Sequence, residues 1–365
     1  MSKSYKILIA CGGTGGHLFP GIAVGEAMVA RGHEVLLLIS EKPVDAQASA
    51  KYTGLRFETM PGVAKPPTLS PRMLPFLWTL WRSVGHCQQV LRRFGADAVL
   101  GMGGFTSLPP VYAGHRLGLK TFIHDSNARP GRANVLTARF CSRVLVGMDP
   151  AKAFFPKHRP LTTGTPVRPE ILALPSRAAA AALFNLDPER PVIVVTGGSQ
   201  GARRLNELCA QAAASLPPET QVLHIAGAAD FSRVAEISRG RPGYHVLGFC
   251  DQMAAAYAVA DGIIARAGAS SLTEIAIAGL PSILVPYPYA ADDHQTRNAE
   301  VFAKAGAATL IQESDLTAEM LAAVATAILR NPAARRSMAR AARSLAIPHA
   351  ADLVCDAIQA TLTTP

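Results

Sequence analysis

Residues 261–298 decide the fold of this chain and read DGIIARAGASSLTEIAIAGLPSILVPYPYAADDHQTRN. A short apolar strand, Gly262 to Ala265, leads into a loop of small residues, and a helix follows whose first turn contains Ser270 to Glu274. Gly279 ends that helix, and a second buried strand, Ser282 to Val285, leads into a proline-rich loop. Strand, helix and strand in this order predict one crossover unit of a parallel sheet.

The loop and the start of this helix are suited to hold a diphosphate. A helix amino end presents unpaired amides and a partial positive charge, and small residues let an anion approach the backbone. Arg266 adds a full charge, and Glu274 could then accept hydrogen bonds from neutral hydroxyls such as a ribose diol. The sequence Ser271-Leu-Thr-Glu274 is also a capping box, and on this stretch alone the cap is the favoured interpretation.

The length and composition of the chain indicate two domains of a reduced, cytosolic protein. With 365 residues, 49% of them apolar, the chain is too long for one core. The six cysteines have no paired spacing, which favours free thiols over disulfides or zinc. We expect the first strand at Tyr5, too early for a signal peptide, and see no apolar run of transmembrane length.

Positive charge is concentrated in the first half of the chain. Residues 1–165 contain 20 Lys and Arg against 8 Asp and Glu, whereas residues 166–365 contain 16 against 18. The first half is therefore expected to face something anionic, either nucleic acid or an acidic membrane surface.

Strands and helices alternate along the whole chain, which predicts parallel sheets with crossover helices. We expect two doubly wound, Rossmann-like domains whose strand ends face each other across a cleft. Residues 157–169 are too rich in Pro and Gly for a regular element and are predicted to be the linker. The strands are expected at residues 5–10, 34–39, 98–101, 120–124, 143–146, 191–196, 221–225, 244–247, 262–265, 282–285 and 307–310.

Three glycine-rich loops follow predicted strands, at residues 12–16, 101–104 and 197–201. The first lacks the Lys-Ser/Thr of a P-loop, and Leu18 stands where a dinucleotide fingerprint needs its last glycine. Glu41 after the second strand keeps a nucleotide-dependent dehydrogenase as a rival. His17 is the titratable group best placed to act as a general base, and its alternative roles are to cap the following helix or to hydrogen-bond to the backbone. No Asp-x-Asp motif or metal-spaced cluster occurs, so no metal is expected.

Together these motifs resemble the MurG family, the UDP-N-acetylglucosamine-dependent N-acetylglucosaminyltransferases of bacterial peptidoglycan synthesis, which are GT-B glycosyltransferases of the family 28 type. The likeness runs nearly end to end. The matching stretches are Gly12 to His17, Gly101 to Phe105, His124 to Asn127, Gly164 to Arg168, Gly197 to Ala202, Arg266 to Glu274, and His294 with Gln295 and Asn298. The family commonly has glutamate where Asp125 stands, and often has asparagine at the position of Thr165.

The resemblance implies a GT-B fold with an N-terminal acceptor and membrane-facing domain at residues 1–164, a C-terminal UDP-sugar domain at 165–346, and a last helix, 347–365, that returns to the first domain. It also implies an inverting transfer that requires no metal or other cofactor. N-acetylglucosamine would move from UDP to the 4-hydroxyl of the muramyl sugar of a polyprenyl-linked acceptor, lipid I, to give lipid II, with His17 as the base.

The resemblance further implies a set of binding residues. Those for UDP-N-acetylglucosamine are Thr14, Gly15, Gly16, Asn127, Arg168, Ser199, Gln200, Cys250, Arg266, Ala269, Ser270, Ser271, Leu272, Thr273, Glu274, His294 and Gln295. Those for the acceptor are Gly103, Gly104, Phe105 and His124. With the resemblance, a ribose contact becomes the favoured interpretation of Glu274, and a base or acceptor ligand that of His17.

The most aromatic stretch, residues 73–81, holds both tryptophans and is predicted to be an amphipathic helix with arginines around it. Burial is the default explanation. Tryptophan beside arginine in the positive half, and an acceptor with a lipid tail, favour attachment to the anionic cytoplasmic leaflet of the inner membrane, as a peripheral protein. The expected contacts are Leu74, Phe76, Trp78 and Trp81.

Two other functions compete with the transferase. A UDP-N-acetylglucosamine 2-epimerase has the same architecture but needs no membrane face. A basic nucleic-acid-binding protein would need a recognition helix and surface aromatics among its cations, and here the charge surrounds glycine loops instead. We therefore expect no nucleic acid among the partners, and expect other cell-wall synthesis proteins to be among them.

Overall fold

The computed structural model describes residues 3–42, 45, 50–60, 73–198 and 202–364 of the chain. They form two compact units, one of Met1–Arg168 together with Ile347–Pro365, and one of Pro169–Ala346. The division falls after Arg168, inside the Pro- and Gly-rich stretch of the sequence, rather than after Gly164.

The first unit is built on a parallel sheet of seven strands in the order β3-β2-β1-β4-β5-β6-β7. The strands are β1 Lys6–Ala10, β2 Glu34–Ser40, β3 Arg56–Met60, β4 Ala98–Gly101, β5 Lys120–Asp125, β6 Arg143–Val146 and β7 Leu161–Thr162. The helices are α1 Gly15–Ala30, α2 Met73–Phe94, α3 Leu108–Arg116, α4 Arg132–Thr137 and, from the end of the chain, the helix Ala350–Thr363.

The central strand β1 shows why this sheet forms. After Lys6 its residues are apolar in succession, as is typical of a strand covered on both faces. Ile7 and Ile9 pack in one core cluster with α1 and the last helix, whereas Leu8 packs on the other face with α2. Arg31 just after α1 forms ion pairs with two aspartates of the last helix and so fixes it to this unit.

The second unit is built on a parallel sheet of six strands in the order β10-β9-β8-β11-β12-β13. The strands are β8 Val192–Thr196, β9 Gln221–Ile225, β10 Tyr244–Leu247, β11 Gly262–Ala265, β12 Ser282–Leu284 and β13 Ala308–Leu310. The helices are α5 Pro169–Leu172, α6 Arg177–Leu183, α7 Arg203–Ala212, α8 Phe231–Ile237, α9 Met253–Val259, α10 Ala269–Ala278, α11 His294–Lys304, α12 Ala318–Arg330 and α13 Pro332–Ser344; the last helix of the chain is thus α14.

Each sheet has one point at which the strand order reverses, between β1 and β4 and between β8 and β11. Open parallel sheets bind ligands beyond the carboxyl ends of the strands at such a point. All three glycine-rich loops follow one of these four strands, as does the small-residue loop after β11. In each unit, therefore, the two loops that the sequence marks as binding elements begin at neighbouring strands.

Two strands, β3 and β7, were not predicted from the sequence. β3 lies at an edge of its sheet and is only partly buried, so it lacks the continuous apolar run of its neighbours. β7 has only two residues and lies in the stretch 157–169, which was predicted to contain no regular element; that prediction was wrong, because β7 and the start of α5 fall within it.

Candidate active site

The first glycine-rich loop is fixed between the ends of β1 and β2. A Cβ atom on Gly12 would lie 2.2 Å from the backbone nitrogen of Ser40, so only glycine fits there. The buried carboxylate of Asp45 accepts hydrogen bonds from the backbone amides of Gly13 and Ser40, both at 2.9 Å. Lys42 donates from Nζ to the carbonyl of Gly13 at 2.7 Å. These contacts hold the loop that leads into α1.

His17 lies in the first turn of α1, next to the loop that follows β4. Helix α1 begins at Gly15 with Thr14 as its N-cap, so the interpretation of His17 as the capping residue was wrong. The His17 Nδ1 atom lies 3.3 Å from the hydroxyl of Thr14. Cβ atoms built on Gly103 and Gly104 would lie 3.1 Å from the His17 ring, so both glycines allow the backbone to approach that ring.

The environment of the His17 ring keeps it neutral. Burial lowers the pKa of His17 to about 4, with a small opposite effect of the Asp45 carboxylate and a further lowering by Lys42. A neutral imidazole has a free lone pair on one ring nitrogen and can accept a proton at pH 7.

The carboxylate of Asp125, at the end of β5, organises the loop that follows it. It accepts hydrogen bonds from the amide of Asn127 at 2.9 Å and its side chain at 3.3 Å, from the amide of Gly131 at 3.1 Å, and from the side chain of Asn134 at 2.6 Å. Asn134 in turn accepts from the backbone amide of Gly104 at 2.9 Å. Burial raises the pKa of Asp125, and these donors oppose that effect. Asp125 is thus tied to the glycine loop that contacts the His17 ring.

The other predicted residues of the first unit lie around these two loops. His124 is fully buried, its Nε2 lies 2.9 Å from the carbonyl of Gly164, and burial lowers its pKa to about 4. Since a carbonyl only accepts, the proton of the neutral ring is on Nε2. Phe105 begins a short 3₁₀ turn, and the guanidinium of Arg168 lies 5.0 Å from the centroid of the Phe19 ring.

In the second unit, the helix after β11 begins at Ala269, with Gly268 as its N-cap and no side-chain capping bond. Ser271 is therefore inside the helix, and the capping-box interpretation of Ser271 and Glu274 was wrong. Glu274 instead accepts a hydrogen bond from the hydroxyl of Tyr257 at 2.7 Å. The first five residues of this helix were all predicted to bind UDP-N-acetylglucosamine: Ala269, Ser270, Ser271, Leu272 and Thr273.

Two side chains at the start of α11 hold the loop between β11 and α10. The Oε1 atom of Gln295 accepts hydrogen bonds from the backbone amides of Ala267 at 3.2 Å and of Tyr287 at 3.0 Å. Asn298 donates to the carbonyl of Ala267 at 3.0 Å. His294 has its Nδ1 atom 2.8 Å from the carbonyl of Ala291. The structure thus brings Gln295, Asn298 and the start of α10 together at one edge of the sheet.

Arg266, in the same loop, has protein partners. Its Nη1 atom donates to the carbonyls of Val285 and Pro286, and its Nη2 atom pairs with the carboxylate of Glu313. Its guanidinium also lies 5.6 Å from the ring centroid of Tyr287. The sequence predicted a contact with diphosphate for this side chain.

Four of the predicted contacts cannot be placed in full. Ser199 and Gln200 lie outside the described residues, and of Leu74 and Phe76 only the backbone, in α2, is described. Cys250 is buried, three residues after the end of β10. Within the residues that the structure covers, no group of three or more His, Cys, Asp or Glu side chains could hold a metal ion.

Comparison with known proteins decides the family. A relative from Geotalea uraniireducens, named UDP-N-acetylglucosamine–N-acetylmuramyl-(pentapeptide) pyrophosphoryl-undecaprenol N-acetylglucosamine transferase, is 37% identical over 96% of this chain and 97% of its own length. A Nostoc relative with the same name is 38% identical over 95% of both chains. The glycosyltransferase family 28 N-terminal domain matches residues 7–146, and the family 28 C-terminal domain matches residues 192–354.

The chain belongs to glycosyltransferase family 28. The crystal structure of Acinetobacter baumannii MurG is 29% identical and superposes with a TM-score of 0.78, covering 98% of this chain and 99% of that one. The two units are therefore the two Rossmann-like domains of a GT-B fold, and the protein is a glycosyltransferase. A putative UDP-N-acetylglucosamine 2-epimerase from Listeria monocytogenes has a TM-score of 0.72 over 100% of this chain and 98% of its own, but at 14% identity it shows the fold alone.

Sequence reasoning missed several residues that hold the predicted site residues in place. Asp45, Asn134, Tyr257 and Glu313 all bond to predicted site residues or to their loops. None of them lies in a recognisable motif, because each acts on a partner that is distant in sequence. The one available signal was an acidic residue within five residues of the end of a strand, which Asp45 and Glu313 share.

Proposed function

We propose that this glycosyltransferase transfers N-acetylglucosamine from UDP-N-acetylglucosamine to the 4-hydroxyl of the muramyl sugar of undecaprenyl-pyrophosphoryl-N-acetylmuramyl-pentapeptide. The product is the disaccharide-linked lipid used for peptidoglycan. The proposal is carried by one observation: relatives 35% to 38% identical over nearly their whole length are named for this transfer.

The second unit offers groups that suit the donor. Backbone amides at the amino end of α10 suit a diphosphate, since they carry a partial positive charge. Glu274, which follows the five predicted contacts at the start of α10, suits the ribose hydroxyls, because an ionised carboxylate only accepts hydrogen bonds. We assign Gln295 to the sugar, and the neighbourhood of Cys250 to the uracil.

We assign the base role to His17. As the muramyl hydroxyl oxygen attacks the anomeric carbon, the neutral ring takes the hydroxyl proton, and the bond between that carbon and the diphosphate oxygen breaks. Attack opposite the leaving group inverts the anomeric centre, and UDP leaves with the bonding electrons. We further propose that no metal is required, because helix amides and Arg168 can stabilise the charge that develops on UDP.

The test is release of UDP from UDP-N-acetylglucosamine with and without a soluble lipid I analogue. We expect release to depend on the acceptor and to persist in EDTA. His17→Ala should lower kcat by about a hundredfold or more, the usual scale of a general base, with little change in donor affinity.

The matched control is His294→Ala. His294 is a histidine of the second unit that we do not assign to proton transfer, so this variant should alter the affinity for UDP-N-acetylglucosamine and leave the pH profile of kcat unchanged. Release without acceptor, or formation of N-acetylmannosamine, would contradict the transferase and favour the epimerase.

We also propose that the protein attaches to the anionic cytoplasmic leaflet of the membrane through α2. No helix in the described parts of the chain is long and apolar enough to span a bilayer. Trp78 and Trp81 in α2 are 59% and 75% exposed, and the guanidinium of Arg82 lies 4.6 Å from the Trp78 ring centroid. Tryptophan and arginine together suit the headgroup region of an anionic bilayer.

A further inference from the structure

The side chain of Arg266 joins the carboxyl ends of three neighbouring strands. Arg266 directly follows β11, and its Nη1 atom donates to the carbonyls of Val285 and Pro286, just after β12, at 3.1 and 3.0 Å. Its Nη2 atom forms an ion pair with Glu313, which follows β13. The guanidinium also lies against the ring of Tyr287.

This cation is buried and neutralised by the protein. The side chains of Arg266 and Glu313 are 9% and 12% exposed. The remaining guanidinium nitrogen, Nε, is buried as well. A diphosphate could reach Arg266 only by displacing Glu313, and breaking a buried ion pair is costly because it leaves a charge uncompensated.

The two segments that Arg266 holds, its own loop after β11 and the start of the loop after β12, also orient Gln295. Gln295 accepts, through Oε1, from the amides of Ala267 and Tyr287. Ala267 is the next residue after Arg266, and Tyr287 follows Pro286, whose carbonyl Arg266 holds. Because both partners are N–H donors, the carboxamide must turn its oxygen toward them and its NH₂ group away.

We propose that Arg266 and Glu313 are a positioning pair for the transferred sugar and do not bind the diphosphate. By fixing the two amides that hold the Gln295 oxygen, the pair makes Gln295 present its NH₂ donors to an oxygen of the sugar. The inference rests on the proposed donor, UDP-N-acetylglucosamine, and goes beyond it by assigning Arg266 to sugar recognition through Gln295.

The test compares the dissociation constants of UDP and UDP-N-acetylglucosamine, measured by calorimetry, in the full chain and in Glu313→Gln. We expect Glu313→Gln to raise the dissociation constant of UDP-N-acetylglucosamine by about tenfold, which is about 1.4 kcal/mol. The dissociation constant of UDP should stay within about twofold of its value in the unmodified chain, the usual error of additivity for distant sites. Arg266→Lys, which cannot span the same oxygens, should give the same pattern and serves if Glu313→Gln fails to fold.

The matched control is Asp261→Asn, which breaks an ion pair with Arg177 at the amino end of the same strand, β11. Asp261→Asn should lower the melting temperature, as Glu313→Gln does, but should leave both dissociation constants within about twofold. A purely structural role for Arg266 would make the two variants behave alike, and that result would overturn the proposal.

A double-mutant cycle tests the route through Gln295. In a Gln295→Ala background, Glu313→Gln should cause no further loss of UDP-N-acetylglucosamine affinity. Full additivity, an equal loss of UDP and UDP-N-acetylglucosamine in Arg266→Met, or tighter UDP binding by Glu313→Gln would each overturn the proposal. If the unmodified chain binds neither ligand, the proposed donor is wrong and the inference falls with it; if it binds both and the variants keep its preference, only the inference falls.

Discussion

Asp125 is a carboxylate whose role depends on its short side chain. From the end of β5 it accepts hydrogen bonds from donors two and six residues further along the chain, in the loop that follows, and from a donor nine residues further along, in the first turn of α4. Aspartate commonly bonds the backbone a few residues ahead in this way. A glutamate, as the family commonly has here, would place its carboxylate one methylene further out. The shorter side chain of Asp125 therefore keeps the carboxylate close enough to the backbone to bond these donors.

We predict that Asp125→Asn loosens the loop next to His17. The amide would turn N–H groups toward two of the present donors, which costs about 3 kcal/mol in the free energy of unfolding of the first unit. Because Asn134 links Asp125 to Gly104, beside the His17 ring, kcat should fall by about tenfold or more. Thermal unfolding and initial rates of UDP release measure the two effects.

The control for this prediction is Asp97→Asn. The Asp97 carboxylate accepts from the amide of Lys6 at 2.8 Å, at the opposite end of the same sheet. This variant should lose stability and keep the kcat of the unmodified chain. A loss of kcat in both variants would mean that stability alone limits the rate.

At this scale the sequence predicts where the site residues lie better than what they do. Gly12, Gly103 and Gly104 stand where the backbone must approach another chain segment, and the glycine pattern alone predicts such loops. Arg266 looks like a phosphate ligand from its neighbours, but its partner Glu313 is 47 residues away, and no local pattern predicts a pairing over that distance.

Helix α2 has two parts with different surroundings. Its later turns pack Cys87, Val90 and Leu91 against the face of the first sheet that carries Leu8, whereas Trp78 and Trp81 near its start are exposed. The first interpretation from the sequence, a buried amphipathic helix, thus applies to the later turns of α2, and the membrane face stays a prediction for the turns that carry the two tryptophans.

We predict that Trp81→Ser weakens binding to vesicles containing anionic lipid. Removing an indole that is 75% exposed should cost little stability but about 1 to 2 kcal/mol of membrane affinity. Flotation with vesicles of anionic and of neutral lipid measures the change. Leu183→Ser, at a leucine of the second unit that is 56% exposed, should leave flotation unaltered. Equal binding of Trp81→Ser and the unmodified chain would contradict the membrane role of α2.

Among the elements, the strands inside each sheet are predicted better than the two edge strands of the first sheet. β4, β6, β9 and β11 have the bounds expected from their apolar runs, and so does the half-buried edge strand β10. β3 and β7 are at the two edges of the first sheet, where fewer side chains are buried and the pattern fades. The predicted cleft between the two domains stays a prediction.

For the whole molecule, buried histidines predict how stability depends on pH. Burial lowers the pKa of both His124 and His224 to about 4, whereas the unfolded chain titrates near 6.5. Between these values the unfolded state binds protons that the folded state does not, so stability falls as the pH falls from 6.5 toward 4. Each histidine can account for about 3 kcal/mol by the end of that range.

His224 allows this to be measured in the second unit. Its Nδ1 atom accepts from the hydroxyl of Tyr244 at 2.6 Å, and its Nε2 donates to the side-chain oxygen of Asn206 at 3.1 Å. Protonation of Nδ1 would remove the acceptor for the Tyr244 hydroxyl hydrogen. We predict that His224→Gln, which cannot titrate, loses less stability between pH 7 and pH 5 than the unmodified chain, as measured by urea unfolding. An identical pH dependence would contradict the assignment.

The last helix belongs to the unit that begins the chain, and this has a consequence for synthesis. Val354, Cys355 and Ile358 complete a core that also contains Ile7 and Ile22. The second unit, by contrast, is one uninterrupted segment. On the ribosome, where domains generally fold as units in the order of translation, the inserted unit is whole before the final helix is made. The first unit therefore finishes folding after the second, and its nascent form keeps part of its apolar surface uncovered until the last helix has been made.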